Sequence, residues 1–284
     1  MAVDSFTDAA LVLVGHGSTV NADSAATVYQ HALELRRRGV FGEVLEAFWK
    51  IEPKLDSLWS RVAARRVFVV PLFVSAGYFT EEAIPGALGL RAEGATEFAR
   101  RQELGGRLIH YCRPVGTHER MTELILARAR GVVARHPFPQ LPKPADTALF
   151  LAGHGTERNG NSRQSVEQPA ALIRARESYA TVRAVFMLEE PRLEQIYELT
   201  AARNVVVVPF FMSDGLHVTE DIPVLLGEAA RVVKERLAQG RPTWRNPTEK
   251  HGKRVWYSGS VGTEPGLAEV ILDRVRESAG AGRR

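Results

Sequence analysis

The 284-residue sequence contains only one cysteine, Cys112. A single cysteine excludes an internal disulfide framework, a zinc site built on several cysteines and a cysteine-ligated iron–sulfur cluster. Long hydrophobic runs are also missing, since the longest, VVVVPFFM and VFVVPLFV, are far shorter than a bilayer-spanning helix needs. The N-terminus MAVDSFTDAA has no basic segment followed by an apolar one, as a secretion signal would have. We therefore expect a cytoplasmic protein with no membrane partner.

Positive charge is in only modest excess over negative charge, with a net charge of +4 and an isoelectric point near 9.4. No basic run alternates with aromatic residues, and the motifs of nucleic-acid-binding folds are absent. We therefore expect no nucleic-acid partner. The charge is compatible with an anionic small-molecule substrate and equally with an ordinary solvated surface.

The sequence contains an internal duplication. Shifted by 138 residues, LVLVGHGST matches LFLAGHGTE, and the segment 67–85 matches 205–223 at 10 of 19 positions. Between the two copies, HPFPQLPKPAD carries four prolines, which stiffen an extended segment and cannot continue a helix. We predict one domain present twice, as residues 1–140 and residues 141–284.

Each copy alternates short β-branched runs with segments of helical period. Strands are predicted near 10–14, 43–48, 67–72 and 107–111, and again near 148–152, 182–187, 204–210 and 254–258. The continuous runs of Val, Ile, Leu and Phe among them show no polar alternation, as in strands that are buried on both faces and joined by helical crossovers. The predicted fold class is α/β, with two tandem similar domains. Each is a four-stranded parallel sheet flanked by helices, and we expect a cleft between the two domains.

Histidines follow two predicted strands of the second copy, and a carboxylate follows a third. His154 stands between glycines after the first strand, His217 follows the third, and FMLEEP places Glu189 or Glu190 after the second. Ligands of open parallel sheets bind beyond the carboxyl ends of the strands, so these side chains are expected to meet. Two histidines and a glutamate form an open ligand set for a borderline divalent cation. For GHG alone, a hydrogen-bonded structural histidine is the competing interpretation.

The first copy carries only part of this set. It keeps His16 in its own GHG, but Phe79 stands where the second copy has His217, and Ile51 where it has Glu189. A metal site retained in one copy and lost in the other explains both exchanges directly. We therefore predict that the chemistry lies in the second copy and that the metal site of the first copy is degenerate.

Three blocks of this sequence resemble those of a known family. GHG followed by Ser or Thr after the first strand, VVPFF…G.H…DIP and F.LEEP resemble the sirohydrochlorin chelatases, the class II chelatases of the CbiX type, in two tandem copies. The resemblance implies a lyase-class enzyme that inserts Co²⁺ or Fe²⁺ into sirohydrochlorin, an octacarboxylate tetrapyrrole, in cobalamin or siroheme biosynthesis. The metal would be a substrate, and no tightly bound cofactor or nucleotide hydrolysis is implied.

The resemblance also implies roles for individual residues. His154 and His217 match the family's two histidines, which would hold the incoming metal and take up the pyrrole protons that it displaces. Glu189 matches the carboxylate of the family's glutamate block, although the spacing also allows Glu190. His16 matches a strand-end histidine without its partners, so we expect it to be an auxiliary substrate-binding residue.

Eight carboxylates on the implied substrate call for cationic and hydrogen-bonding groups around the site. The loop TERNGNSRQ after the second GHG offers Arg158, Asn161 and Arg163 as substrate-binding residues, and a plain polar loop is the alternative interpretation. A second function remains open, namely a non-catalytic carrier of metal or tetrapyrrole derived from a chelatase. The sequence leaves open whether the protein is a monomer or a homodimer.

Overall fold

The structure is a computed structural model and describes residues 5–21, 23–156, 160–176 and 178–280. The first copy of the repeat contributes nine α-helices and β-strands in the described ranges: β1 (Phe6–Gly15), α1 (Asp23–Arg38), β2 (Phe41–Phe48), α2 (Leu58–Arg61), β3 (Arg66–Pro71), α3 (Ile84–Ala87), β4 (Arg101–Leu104), β5 (Arg107–Tyr111) and α4 (Met121–Arg135). None of the described helices is long and apolar enough to cross a membrane.

The second copy repeats this order with two changes: it has no α-helix corresponding to α2, and it has an additional helix after its third strand. Its elements are β6 (Thr147–Gly153), α5 (Gly160–Arg174), β7 (Thr181–Phe186), β8 (Asn204–Pro209), α6 (Ile222–Leu225), α7 (Ala230–Ala238), β9 (Thr248–Lys250), β10 (Lys253–Tyr257) and α8 (Leu267–Gly280).

Each copy forms a five-stranded sheet, in the order β2-β1-β3-β5-β4 for the first and β7-β6-β8-β10-β9 for the second. Four strands of each sheet are parallel, which confirms the predicted α/β class and all eight predicted strands. The fifth strand, β4 or β9, pairs antiparallel at the edge. These two strands were not predicted because RQEL and TEK are short and polar, whereas the prediction relied on apolar runs.

The central strands are buried because helices cover both faces of each sheet. All seven residues of β6 are buried, and so are the last seven residues of β1. A strand enclosed in this way reads as a continuous apolar run, and burial of each Val, Leu, Ile or Phe side chain contributes about 1.5–3 kcal/mol to stability. The apolar runs that identified the strands therefore also form the core of each sheet.

The compact units of the structure exchange one helix relative to the sequence repeat. One unit comprises Met1–His118 and Pro265–Arg284, and the other comprises Glu119–Glu264. Helix α4 packs on β8 and β10, while α8 packs on β3 and β5. The predicted halves 1–140 and 141–284 describe the duplication of the sequence. In the structure, the helix that ends each half belongs to the other compact unit: α4 lies in the unit Glu119–Glu264, and α8 lies in the unit that contains β1.

An equivalent arginine on each exchanged helix binds the same turn in its unit. Arg128 of α4 donates from Nη2 to Thr263 Oγ1 at 2.6 Å. Arg274 of α8 donates from Nη2 to Thr117 Oγ1 at 2.7 Å and to the Pro114 carbonyl at 3.0 Å. The two helices therefore occupy corresponding positions, each completing the unit that contains the other copy's strands.

Candidate metal centre

His154 lies directly after β6, at the carboxyl end of the strand. Its Nδ1 is 2.7 Å from the carbonyl oxygen of Gly155. A carbonyl oxygen only accepts hydrogen bonds, so Nδ1 carries the hydrogen and donates it. In the neutral ring, Nε2 is then the nitrogen that presents a lone pair to a metal ion or to a proton.

The glycine after His154 permits this geometry. Gly155 has a φ of +74°, in the left-handed region, and a Cβ there would lie 2.8 Å from Cγ of Glu189. The loop after β7 is hydrogen bonded to the same segment, since the amide of Leu188 donates to the His154 carbonyl at 3.1 Å. Positive φ and close packing together explain the second glycine of the GHG pattern.

His217 begins a single π-helical turn, His217–Asp221, that leads into α6. Its Nδ1 lies 2.6 Å from Oδ2 of Asp221, and the carboxylate accepts the hydrogen bond. The buried hydroxyl of Tyr257 donates to the carbonyl of Val218 at 2.6 Å and so anchors the turn. Burial raises the pKa of Tyr257 well above its ordinary value, which keeps this hydroxyl protonated as a donor.

The structure brings the two predicted histidines together. The ring centroids of His154 and His217 are 5.0 Å apart, with an angle of 66° between the ring planes. The rings follow β6 and β8, which are neighbours in the sheet. Because each Nδ1 is engaged by an acceptor, each neutral ring has its lone pair on Nε2. Two imidazoles in this tautomer can offer two nitrogen ligands to a divalent transition metal.

Glu189 lies beside the GHG segment but binds protein groups. Its Oε1 accepts a hydrogen bond from the amide of Thr156 at 3.3 Å, and its Oε2 is 3.3 Å from Nη1 of Arg163. Glu190 is more exposed, and its Oε2 accepts from the amide of Arg192 at 3.3 Å. Of the two glutamates that the sequence left open, Glu189 is the one that packs against the segment after His154.

In the described part of the chain, no three His, Cys, Asp or Glu residues form a group able to hold a metal ion. The predicted set of His154, His217 and Glu189 is therefore present here as a histidine pair with Glu189 held nearby. The physical reason is the ion pair with Arg163, which offers the carboxylate a cation inside the protein. A direct bond from Glu189 to the metal stays a prediction.

The structure places the three substrate-binding residues that were predicted in the loop after the second GHG in different settings. Arg158 lies outside the described residues. Asn161 is exposed near the start of α5. Arg163 binds Glu167 at 2.8 Å as well as Glu189, and its guanidinium lies 5.0 Å from the ring centroid of Phe186. Substrate binding by these residues remains a prediction, and the contacts of Arg163 indicate that it also positions Glu189.

The first copy reproduces the backbone of this site but keeps only one of its two histidines. His16 donates from Nδ1 to the Gly17 carbonyl at 2.7 Å, as His154 does to Gly155. Phe79 occupies the place of His217, with its ring centroid 4.9 Å from that of His16. Ile51 packs where Glu189 does, since a Cβ on Gly17 would lie 2.6 Å from its Cγ1. A phenyl ring and an aliphatic side chain offer a metal ion no lone pair.

Asp221 is a polar residue of the site that sequence reasoning missed. The signal was present, because His217 and Asp221 are spaced by four residues and the first copy has Ala83 at the position of Asp221.

Fold and candidate site together define a tandem α/β protein with a histidine pair at neighbouring strand ends of its second copy. A family model described as CbiX matches residues 10–132 and 148–278, which together cover most of the chain. The chain therefore belongs to the CbiX family of sirohydrochlorin chelatases.

Curated relatives cover either the whole chain or one copy of it. A Halobacterium salinarum protein named probable sirohydrochlorin cobaltochelatase is 41% identical over 282 residues, covering 95% of this chain and 91% of that protein. A Methanopyrus kandleri sirohydrochlorin cobaltochelatase is 30% identical over 153 residues, covering 47% of this chain and 97% of that protein. The second relative therefore corresponds in length to about one copy of the repeat.

Two solved structures share the fold. A multi-domain Deinococcus radiodurans protein, described as structurally similar to chelatases with two additional novel domains, matches with a TM-score of 0.73 and 32% identity. The match covers 94% of this chain, which spans only 54% of the length of that protein. The sirohydrochlorin chelatase SirB of Bacillus subtilis, in complex with cobalt, matches with a TM-score of 0.63, 18% identity and 97% coverage of both chains.

Proposed function

We propose that this protein is a sirohydrochlorin chelatase that inserts a divalent metal ion into the tetrapyrrole. The observation that carries the proposal is the pair formed by His154 and His217, whose rings are 5.0 Å apart at neighbouring strand ends. The 41% identical relative named as a probable sirohydrochlorin cobaltochelatase supports the same substrate. The proposed reaction takes sirohydrochlorin and M²⁺ to the metal complex and two protons.

The residues of the pair have two tasks in this proposal. Each Nε2 supplies a lone pair to the incoming ion, and two imidazoles leave coordination positions open for the pyrrole nitrogens. As the metal enters, the two pyrrole N–H groups lose their protons. The same imidazole nitrogens accept these protons once the metal has moved from them to the ring, because neutral imidazole is a base near neutral pH.

Co²⁺ is the first metal to test, and Fe²⁺ is the competitor. Imidazole nitrogen binds both ions, and affinity alone does not set selectivity among such metals. Co²⁺ is tested before Fe²⁺ because the relatives from Halobacterium salinarum and Methanopyrus kandleri are both named as cobaltochelatases. Insertion of Co²⁺ would place the protein in cobalamin biosynthesis, and insertion of Fe²⁺ would place it in siroheme biosynthesis.

An anaerobic absorbance assay tests the proposal. Purified protein is mixed with an excess of sirohydrochlorin, and Co²⁺ or Fe²⁺ is added in separate reactions. We expect repeated turnover, seen as loss of the metal-free spectrum faster than the spontaneous rate. A spectral change that saturates at one tetrapyrrole per protein, without acceleration, would contradict a chelatase and support the carrier.

Glu189 and Glu190 form a matched pair for testing the third group of the site. We expect Glu189→Gln to weaken Co²⁺ binding by about tenfold, because the charge next to the histidine loop is lost. Glu190→Gln is expected to leave binding unchanged, since that side chain caps the amide of Arg192. Isothermal titration with Co²⁺ measures both. Equal effects of the two substitutions on Co²⁺ binding would contradict a role of Glu189 in the metal site.

A further inference from the structure

The hydrogen bond between His217 and Asp221 suggests a residue role that the proposed function alone does not include. We propose that Asp221 is a positioning residue, which fixes the ring of His217 with Nδ1 protonated and Nε2 available to the metal. This inference rests on the proposed function, since it concerns how one of the two proposed ligands is held.

The geometry of the two histidines shows why a partner is needed for one of them. His154 is oriented by the backbone carbonyl of Gly155, which is present whatever the side chains are. His217 instead depends on the carboxylate of Asp221, at 2.6 Å across one π-helical turn. A carboxylate behind a ligating imidazole fixes its tautomer and ring orientation and strengthens it as a ligand.

The first copy supplies an internal control for the structural role of Asp221. Ala83 stands at the corresponding position, and yet the single π-helical turn Phe79–Ala83 forms there as well. The anchoring hydrogen bond is also retained, since the hydroxyl of Tyr111 donates to the Thr80 carbonyl at 2.8 Å. The turn therefore does not require an aspartate.

The aspartate occurs instead only in the copy that has the histidine. The copy with Phe79 has Ala83, while the copy with His217 has Asp221. Neighbouring positions are the same in both copies: Glu82 corresponds to Glu220, Ile84 to Ile222 and Pro85 to Pro223. A phenyl ring has no N–H to orient, so a partner at the fourth following residue has no function in the first copy.

Exposure also argues against a role in stability. The side chains of His217 and Asp221 are 49% and 46% exposed, and ion pairs at such positions add little to the stability of a fold. Replacement of a residue that hydrogen bonds to a metal ligand, in contrast, typically changes metal affinity or activity by about 10–100-fold. The contact is therefore expected to influence the metal site far more than the fold.

The first experiment is a Co²⁺ titration of the full-length protein at one fixed pH, followed by visible absorption of the bound ion. We expect Asp221→Ala to weaken Co²⁺ binding by about 10–100-fold and to change the spectrum of bound cobalt. Asp221→Asn should recover part of the affinity, because its amide oxygen still accepts from Nδ1. Glu220→Ala is the control on the same turn, and wild-type affinity is expected for it.

The thermal unfolding midpoint of all four proteins is measured in parallel. Unchanged midpoints with weakened binding in Asp221→Ala support positioning. Wild-type affinity in Asp221→Ala, while His217→Ala loses binding, would overturn this inference and leave the proposed function intact. Wild-type affinity in both His217→Ala and His154→Ala would instead contradict the proposed metal site itself.

A transplant into the first copy tests the inference in the opposite direction. In a protein carrying His154→Ala and His217→Ala, Phe79→His restores a histidine beside His16. Adding Ala83→Asp to that variant is expected to tighten Co²⁺ binding by about tenfold or more relative to Phe79→His alone. Equal Co²⁺ affinity in the two variants would overturn the positioning role.

Discussion

Replacing His217 by phenylalanine is expected to lower the rate of metal insertion by about 100-fold or more. The substitution gives the second copy the ring that the first copy carries at the corresponding position, where Phe79 lies 4.9 Å from His16. It removes one of the two Nε2 lone pairs and a proton acceptor together. The half-exposed position should keep the change in unfolding free energy within about 0.5 kcal/mol.

His251→Asn is the matched control for this experiment, because it also removes one histidine from the same compact unit. His251 has a φ of 48°, a conformation that asparagine tolerates. It lies in the hairpin turn between β9 and β10, and its ring contacts Tyr197. We expect a wild-type insertion rate for this control, measured by the same anaerobic absorbance assay. Retained turnover in His217→Phe would contradict the assignment of the pair.

Gly155→Ala is expected to cause the second large effect. A methyl group at Gly155 is strained at φ +74° and would lie 2.8 Å from Cγ of Glu189 and 3.0 Å from Cβ of Phe186. Relief of these contacts must shift His154 or Glu189, and a displacement of about 1 Å can cost about 100-fold in rate. We also expect a loss of about 1–3 kcal/mol in unfolding free energy.

The first copy provides a control with the same backbone cost. Gly17 has a φ of +69°, and a methyl group there would meet Cγ1 of Ile51 at 2.6 Å. Gly17→Ala should therefore destabilise the protein by a similar amount, about 1–3 kcal/mol, while retaining most of the insertion rate. Denaturant unfolding and the insertion assay are run on both variants. Equal losses of rate in the two would mean that the effect is not specific to the histidine pair of the second copy.

The parallel strands and the histidine pair were predictable because each depends on a local pattern. Apolar runs indicated strands enclosed on both faces, and the topology of parallel sheets brought His154 and His217 to one edge. The edge strands β4 and β9 were missed, since three or four polar residues carry no such pattern. Their tight turns, Gly105-Gly106 and His251-Gly252, have positive φ at both residues and were the available signal.

The exchange of α4 and α8 could not be derived from the sequence. An amphipathic helix shows which of its faces is apolar, but two similar sheets offer equivalent surfaces to that face. The orientation of Glu189 was equally hidden. Its position next to the site followed from the strand order, whereas its ion pair with Arg163 depends on where a side chain of α5 points.

The most direct test of the central claim is the position of bound cobalt. Crystals of the protein are soaked with Co²⁺, and an anomalous difference map is recorded at the cobalt absorption edge. We predict a peak within about 2 Å of Nε2 of both His154 and His217, the usual distance for imidazole and a divalent transition metal. Cobalt bound at His16 instead, or no peak at the His154–His217 pair, would contradict the assignment of the metal site to the second copy.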